Sequence, residues 1–374
     1  MTLPLRLVPD RPAAPQPSHP GAALPLRPRL RPDRAVLWRS ASAVQLGSDP
    51  AAAVVLDRLD PATAALFRGL DGSRRAEDLV SEAIARGADP AIVTDLLHDL
   101  QVAGLLSTPE PSEPHLAAEA TSGSSVTGAG NADRALALRA QATVLVRGAG
   151  RVGVALACLL AAGGVGCVPV LADGLVAGID TGTGLLRSDV RRPRAEAAAV
   201  AVARAAPGVR SRARPRLHPD LVVLAGAEVV DPALAWRLVT SGHAHLPVRV
   251  REGIGLVGPL VLPGWSGCLR CLERDHAQSD PDWPLVAAQL TLRDAPAPVT
   301  VAAATAALAA DQVLALLDAP AAPAGAEWAS PPSLGAVVEI DTRRARVRRR
   351  PAPARPDCPC AAPQWRSAHE ARPA

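Results

Sequence analysis

The most restrictive feature of the sequence is a glycine-rich loop between a short apolar run and a longer apolar segment. Residues 143–146 have the aliphatic, β-branched composition of a buried strand. Gly148, Gly150 and Gly153 follow in the spacing G-x-G-x-x-G, and an apolar stretch then continues through Leu160. Strand, glycine loop and helix in this order are typical of the first unit of a Rossmann-like fold.

Each glycine has a physical role in such a loop. Gly148 permits a tight turn, Gly150 lets the backbone approach a phosphate, and Gly153 allows close packing of the helix. A second strand, 167–171, ends near Asp173, about 20 residues after the last glycine, where a ribose-binding carboxylate is expected. The same glycines can also serve packing alone. The sequence therefore leaves two interpretations open, a nucleotide site and a structural remnant.

Strand-like and helix-like segments alternate downstream of the loop. The pattern predicts a helix over 189–205, a strand over 220–225, a helix over 232–241 and a strand over 247–251. This alternation is typical of an α/β fold with a doubly wound, Rossmann-like sheet.

Four of the six cysteines form two close pairs, Cys268-x-x-Cys271 and Cys358-x-Cys360. Two thiolate pairs brought together complete a tetrahedral Zn²⁺ site, which is structural because no coordination position remains for water. His276 is an alternative to one of the thiolates. The other two cysteines lie in apolar segments and are predicted to be core residues: Cys158 and Cys167.

The basic residues exclude several kinds of chemistry. All 40 of them are Arg, and the chain contains no Tyr. Without Lys there is no P-loop lysine and no Schiff base, and without Tyr there is no Tyr–Lys dehydrogenase couple. A net charge of +4 and only six Trp and one Phe give no support for nucleic-acid binding. The alternating Arg344, Arg346, Arg348 and Arg350 predict the solvated face of a strand.

Composition divides the chain of 374 residues into five segments. We predict a disordered Pro-rich N-terminus over 1–30, a small domain over 31–107 and a linker over 108–134. A large domain over 135–365 and a disordered tail over 366–374 follow. The N-terminal segment contains no apolar run of signal-peptide length, so the expected location is the cytoplasm.

One uncharged run, 152–172, is long enough to be tested as a membrane span. It contains Gly163, Gly164, Gly166 and Pro169. These residues predict a helix, a turn and a buried strand in place of a membrane span.

The small domain has strand-like runs at 36–38, 43–46 and 54–56, followed by three helical stretches. The helices are predicted over 61–70, 74–85 and 90–103, with N-caps at Asp60, Ser73 and Asp89. Six leucines are predicted to form the core: Leu66, Leu70, Leu79, Leu96, Leu97 and Leu100.

The segments "LDGSRRAEDLVSEA" and "IVTDLLHDLQVAGLL" of the small domain resemble the PqqD-like family of peptide-recognition domains, which have a winged-helix-like fold. In that family the leader of a precursor peptide adds as an extra strand to the edge of the sheet. A DNA-binding winged helix is disfavoured, because the third helix carries Asp95 and Asp99 and no Arg.

The large domain resembles the ThiF-type family of ubiquitin-activating-enzyme-like adenylyltransferases. The resemblance rests on the glycine loop, on "GPLVLPGWSGCLRCLERDHAQSDPDWP" and on the terminal "DCPC". With the PqqD-like module in front, the chain is similar to cyclodehydratase C-type components of thiazole/oxazole-modified microcin biosynthesis. Those proteins bind a precursor leader and work with a YcaO-type cyclodehydratase. Active members of the wider family bind ATP and Mg²⁺ and adenylate a carboxyl terminus.

The resemblance places the phosphate loop on the three glycines, the zinc site on the four cysteines and the ribose carboxylate near Asp173. The family's catalytic Lys falls on Arg194, and its Asn and Arg have no clear counterpart. We therefore predict a homodimeric scaffold with a degenerate adenylation site. The alternative is an active adenylyltransferase that uses Asp173, Arg187 and Arg194. A third class, a zinc-containing oxidoreductase, lacks an evident proton relay, although three histidines are available: His218, His243 and His245.

Overall fold

The computed structural model describes residues 6–7, 24–31, 34–49, 53–107, 116, 119, 132–214, 217–291, 293, 297–321 and 330–361. The chain divides into two compact units, residues 1–136 with 321–326 and residues 137–320 with 327–374. Most of the predicted linker and all of the predicted C-terminal tail lie outside the described residues.

The first unit consists of short strands and three helices among its described residues. Its strands are β1 (Arg6–Leu7), β2 (Arg29–Leu30), β3 (Val36–Ser40), β4 (Ala43–Leu46), β5 (Val54–Leu56) and β6 (Leu106–Ser107). Its helices are α1 (Pro61–Gly69), α2 (Ala76–Ala85) and α3 (Pro90–Val102). The strands form an antiparallel sheet in the order β1-β5-β4-β3 and a separate pair, β2-β6.

Two of the three predicted N-caps are confirmed. The carboxylates of Asp60 and Asp89 accept backbone N–H groups of α1 and α3 at 2.8–2.9 Å, and each helix begins with Pro. The prediction for Ser73 is wrong, because α2 begins only at Ala76. Ser73 instead donates its N–H and hydroxyl to Asp71 at 2.8 and 2.5 Å, which closes a turn ahead of the helix.

The six predicted core leucines are all buried in one apolar cluster. Each one stabilises the unit by about 1.5–3 kcal/mol relative to an exposed side chain. The ordered part of the unit extends beyond the predicted start at residue 31, because β1 pairs with β5 and β2 pairs with β6. These two strands fall within the segment predicted to be disordered, so that prediction is wrong for them.

The second unit is larger and has helices on both faces of its sheet. Its strands are β7 (Val144–Arg147), β8 (Val170–Leu171), β9 (Leu221–Ala225), β10 (His245–Arg251), β11 (Ile254–Val257), β12 (Ala336–Asp341) and β13 (Arg346–Pro351). Its helices are α4 (Ala132–Gln141), which begins just before the unit boundary, α5 (Arg151–Ala162), α6 (Arg194–Ala205), α7 (Pro232–Thr240), α8 (Leu269–Ser279), α9 (Trp283–Leu290) and α10 (Val299–Asp318). The helix α4 overlaps the end of the predicted linker.

The seven strands form one mixed sheet in the order β13-β12-β11-β10-β9-β7-β8. The first four strands at one end of this order, β8, β7, β9 and β10, run parallel to one another. From β10 onward the pairing is antiparallel: β10 with β11, β11 with β12, and β12 with β13. Strand β9 is buried on both faces. Its Leu221, Val223 and Ala225 pack with α5, α6 and α10, whereas Val222 and Leu224 pack with α7 and the cysteines. The predicted α/β class is confirmed. The antiparallel half, apart from the Arg-rich strand, was not predicted.

Among the described residues, one helical segment, Val299–Ala321, is long and apolar enough to cross a membrane. It contains α10, which packs on α5 and on the sheet, and it contributes six residues to the main core: Val301, Ala302, Ala306, Ala309, Ala310 and Val313. Such packing is typical of a core helix. The uncharged run 152–172 forms most of α5, a turn and β8, as predicted.

The Arg-rich strand is exposed along its whole length. Arg346, Arg348 and Arg350 lie in β13, and Arg350 pairs with Glu339 at 2.8 Å. The prediction is wrong for Arg344, which lies in the turn before β13 and donates to the neighbouring Asp341 at 2.8 Å.

Candidate functional site

Packing explains two of the three glycines in the loop between β7 and α5. Gly148 has a φ of +115°, and a Cβ there would lie 1.6 Å from the carbonyl oxygen of Ala225. A Cβ on Gly153 would lie 2.1 Å from the carbonyl oxygen of Gly148. Any side chain at these positions would separate the loop from β9 or from the helix. These two glycines are therefore required whether or not a ligand binds.

Gly150 differs from the other two. It is the N-cap of α5 with an ordinary φ of −76°, and a Cβ there would meet nothing within 4 Å. Neither strain nor packing requires glycine at this position. Gly150 borders a cavity of about 460 Å³ at the N-terminus of α5. A helix N-terminus favours an anion, and the space at Gly150 leaves room for one to approach the backbone.

The cavity lies at the carboxyl ends of the parallel strands, which is where α/β sheets bind ligands. Asp173 lies in the turn after β8, is exposed and lines the cavity. The structure thus brings the three glycines and Asp173 to one cavity, together with Arg194 from the start of α6. Arg187 is exposed in a short 3₁₀ turn, Arg187–Asp189, and does not line the cavity.

Arg194 is held by a carboxylate inside the cavity. Its Nη2 and Nε donate to the Oδ2 atom of Asp180 at 2.9 and 3.2 Å. Asp180 is buried, and the same Oδ2 accepts the N–H of Ala177 at 2.8 Å. The guanidinium of Arg194 is thus engaged by the protein itself. Nothing in the local sequence pattern predicted this partner.

Two further arginines of the cavity were missed by sequence reasoning. Arg151 donates to the carbonyl oxygens of Thr181 and Ala297 at 2.7 and 2.8 Å. Arg249, on the central strand β10, is only 7% exposed and lies between this cavity and a second, apolar one. A signal for Arg249 was present, since it is the one charged residue within the apolar run Leu246–Val250.

The four predicted zinc ligands come together as a second feature of the unit. Their sulfur atoms all lie within 4.8 Å of one another, and all four residues are buried. The Sγ atom of Cys268 lies 3.9 Å from that of Cys271 and 3.8 Å from that of Cys358, and the Sγ atoms of Cys271 and Cys360 are 3.5 Å apart. Zn–S bonds of about 2.3 Å in a tetrahedron place sulfurs about 3.8 Å apart. The cluster therefore fits a structural zinc ion.

The surroundings of the cluster hold the C-terminal segment in place. The backbone N–H of Arg355 donates to the Sγ atom of Cys271 at 3.4 Å, which favours a thiolate. The guanidinium of Arg355 pairs with Asp275 at 2.5 Å and with Asp357 at 3.1 Å. A Cβ on Gly267 would lie 2.8 Å from the backbone of the same segment. Packing thus favours a glycine immediately before the first ligand.

The other candidate ligand does not join the cluster. His276 packs edge-on against Trp283, with ring centroids 4.8 Å apart, and is not part of the four-sulfur group. Cys167 is buried in the core and Cys158 is half-buried in α5. Burial raises the pKa of the Cys158 thiol, as expected for an inert core cysteine.

No protein-family model matches the chain, and no curated protein matches it significantly. The fold, however, is similar to that of solved structures. The crystal structure of E. coli MccB with AMPCPP and MccA aligns over 90% of this chain and 99% of MccB, with a TM-score of 0.66 and 13% identity. The complex of E. coli MccB with ATP gives a TM-score of 0.65, with 14% identity and the same coverage.

A third similar structure is that of the heterocyclase TruD. It covers 90% of this chain and 43% of TruD, with a TM-score of 0.60 and 17% identity. At such identities the likeness is one of fold. It shows that this protein has an α/β fold of the kind seen in MccB.

Proposed function

We propose that this protein binds the leader of a ribosomally made precursor peptide and presents it to a YcaO-type cyclodehydratase in azoline or azole biosynthesis. In this proposal the glycine-loop site is a degenerate adenylation site, the zinc site is structural, and the large unit forms a homodimer. The similar structures support a role with precursor peptides, because MccB was crystallised with MccA and TruD is a heterocyclase.

The main support for a degenerate adenylation site is the ion pair between Arg194 and Asp180. Adenylation needs cations that face the phosphates, and losing one such group costs about 100- to 1000-fold in rate. Here Arg194 is neutralised by a buried carboxylate, and Arg151 is bound to two backbone carbonyls. Both guanidinium groups are thus engaged by protein acceptors.

The small unit supplies the candidate surface for the leader. Strand β1, at the N-terminus of the chain, pairs antiparallel with β5, with Arg6 opposite Val55 and Leu7 opposite Val54. The edge of β5 thus accepts an extended segment through backbone hydrogen bonds, as β-augmentation requires. We propose that the leader adds to this edge and displaces β1.

The proposed partner is a YcaO-type cyclodehydratase. This part of the proposal rests on the resemblance of the sequence to cyclodehydratase C-type components and on the similarity of the fold to the heterocyclase TruD, of which this chain spans 43%.

Leader binding is tested by titrating the full chain with a fluorescent leader peptide taken from a precursor gene adjacent to its own. Deleting residues 1–10 removes the competing strand and should tighten binding several-fold. The matched control is Trp38→Ala on the opposite edge strand, β3, where Trp38 is exposed and stacks with Arg68 at 5.0 Å. Binding that is lost in Trp38→Ala and unchanged by the deletion would contradict the proposed edge.

One observation favours the alternative function, an active adenylyltransferase. The cavity remains open and contains both Asp173 and the unobstructed Gly150. Peptide-dependent exchange of pyrophosphate into ATP would support this function. Gly150→Ala should then abolish the exchange without unfolding the protein, because its Cβ meets no neighbour.

A further inference from the structure

Within the described part of the chain, Arg249 is a buried cation without a carboxylate partner. Its side chain sits in the centre of the mixed sheet, on β10, and the residue is 7% exposed. Its Nε atom has no hydrogen-bond partner, and its Nη1 atom makes one long contact, 3.4 Å, with the carbonyl oxygen of Gly258. Among the residues that the structure describes, no acidic group lies within ion-pair distance of it.

Such a group is costly unless an anion compensates it. Burial lowers the pKa of Arg249 to about 10 and the nearby Arg251 adds to the effect, yet Arg249 remains protonated at neutral pH. The nearest carboxylates are engaged elsewhere. Glu228 pairs with Arg251 at 3.7 Å, and Glu273 accepts the indole N–H of Trp283 at 2.6 Å.

Arg249 also lies where two cavities meet. On one side is the glycine-loop cavity. On the other is a cavity of about 340 Å³, a size that suits a small ligand. Its wall is largely apolar and includes Val230, Ala235, Trp236, Val239, Leu269 and Leu272, and the two carboxylates engaged by Arg251 and Trp283, Glu228 and Glu273, also line it.

We propose that this second cavity binds a carboxylate attached to an apolar body, with the carboxylate on the guanidinium of Arg249 and the apolar part among the side chains of α7 and α8. A guanidinium matches the two oxygens of a carboxylate in a fork geometry. The proposal is independent of leader binding by the small unit. The ligand is either the C-terminus of a peptide that ends in an apolar residue or a free apolar acid.

Calorimetry on the full, zinc-loaded chain tests the proposal with three probes. N-acetyl-leucine represents a peptide C-terminus, octanoate represents a free acid, and N-acetyl-leucinamide has the apolar body without the charge. We expect saturable binding of at least one of the two acids and none of the amide. Binding of N-acetyl-leucine alone assigns the site to a peptide terminus, and binding of octanoate alone assigns it to a free acid.

Arg249→Met should weaken the binding of that acid at least tenfold. The same substitution should leave the ligand-free protein folded, because it replaces an unpaired buried charge with an apolar side chain of similar length. Arg270→Met is the matched control, since Arg270 lines the same cavity but is exposed, and it should bind as the unmodified chain does.

Three results would overturn the proposal: no binding of either acid at about 10 mM, equal binding of N-acetyl-leucine and its amide, or unchanged affinity in Arg249→Met. The comparison of acid with amide uses only the unmodified chain, so it decides the matter even where Arg249→Met fails to fold.

Discussion

Arg194 and Asp180 form an ion pair, 2.9 Å between Nη2 and Oδ2, at the edge of the cavity beside the glycine loop. The pair is partly buried, with the carboxylate side chain 8% exposed and the guanidinium 26% exposed. It holds the cation at the start of α6 against the protein. The proposal that this site no longer adenylates therefore depends more on the Arg194–Asp180 ion pair than on the absence of particular residues.

Releasing Arg194 should strengthen nucleotide binding. Asp180→Asn retains an acceptor for the N–H of Ala177 but removes the charge that holds the guanidinium. A charge-assisted contact to a phosphate is worth about 1.5–3 kcal/mol, which is about tenfold or more in affinity. We expect Asp180→Asn to bind Mg-ATP measurably in calorimetry and Asp180→Asn with Arg194→Met to lose that binding. Equal affinity in the two variants would remove Arg194 from the argument.

The cysteine cluster predicts one zinc ion per chain. Cys360→Ser should reduce the zinc-to-protein ratio from about one to near zero, measured by elemental analysis, and free the C-terminal segment. Releasing a clip over a long chain segment costs about 2–4 kcal/mol, or about 4–16 °C in Tm for a unit of this size. Cys158→Ala is the control, since Cys158 lies outside the cluster. Full zinc content in Cys360→Ser would contradict the four-cysteine assignment.

A buried ion pair joins α4 to the end of α10. Arg139 donates from Nε and Nη2 to the carboxylate of Asp318 at 2.7 and 2.5 Å, and from Nη1 to the carbonyl oxygen of Gly163 at 2.9 Å. Asp318→Asn leaves a buried charge unpaired and should cost about 3–5 kcal/mol in the free energy of unfolding. Combining Arg139→Met with Asp318→Leu should recover most of the loss in denaturant titrations. Additive losses would show that the two residues do not act as a pair.

His245 makes stability depend on pH. It is fully buried at the start of β10, and its Nδ1 atom lies 3.0 Å from the carbonyl oxygen of His243. Desolvation lowers its pKa from 6.5 to about 4. Between these values the unfolded chain binds the extra proton, so acidification from pH 6.5 to 4 should remove up to about 3 kcal/mol of stability.

The substitution His245→Leu tests directly whether His245 causes the pH dependence of stability. The variant should unfold with a smaller dependence on pH between 4 and 6.5 than the unmodified chain, in matched denaturant titrations. His218→Leu changes an exposed histidine and should preserve the full dependence. If His245→Leu and the unmodified chain have the same slope, His245 is not the group responsible.

The sequence predicted the features that depend on local patterns. The glycine spacing, the alternation of strands and helices, the caps at Asp60 and Asp89 and the four cysteines all rest on short stretches of chain. The cap at Ser73 failed because Asp71 competes for its backbone and hydroxyl groups. The antiparallel half of the sheet was not predicted, since residues 258–335 separate β11 from β12 and no local pattern shows that these two strands pair.

The site itself was only partly predictable. The positions of the three glycines and of Asp173 were predictable, because they follow the first strand of the large domain at a characteristic spacing. The pairing of Arg194 with Asp180 depends on how the loop before α6 folds back onto the helix, and no local pattern records that. Arg249 lacks a carboxylate partner because Glu228 pairs with Arg251 and Glu273 accepts the indole N–H of Trp283. These long-range contacts likewise have no local sequence pattern.

The measurement that tests the central claim most directly is a calorimetric titration of the zinc-loaded, folded chain with Mg-ATP. We expect no saturable heat up to about millimolar ATP, because Arg194 is engaged by Asp180, Arg151 is engaged by backbone carbonyls and Arg249 is buried within the sheet. Saturable binding at micromolar to low-millimolar ATP would contradict the degenerate site and favour an adenylating enzyme.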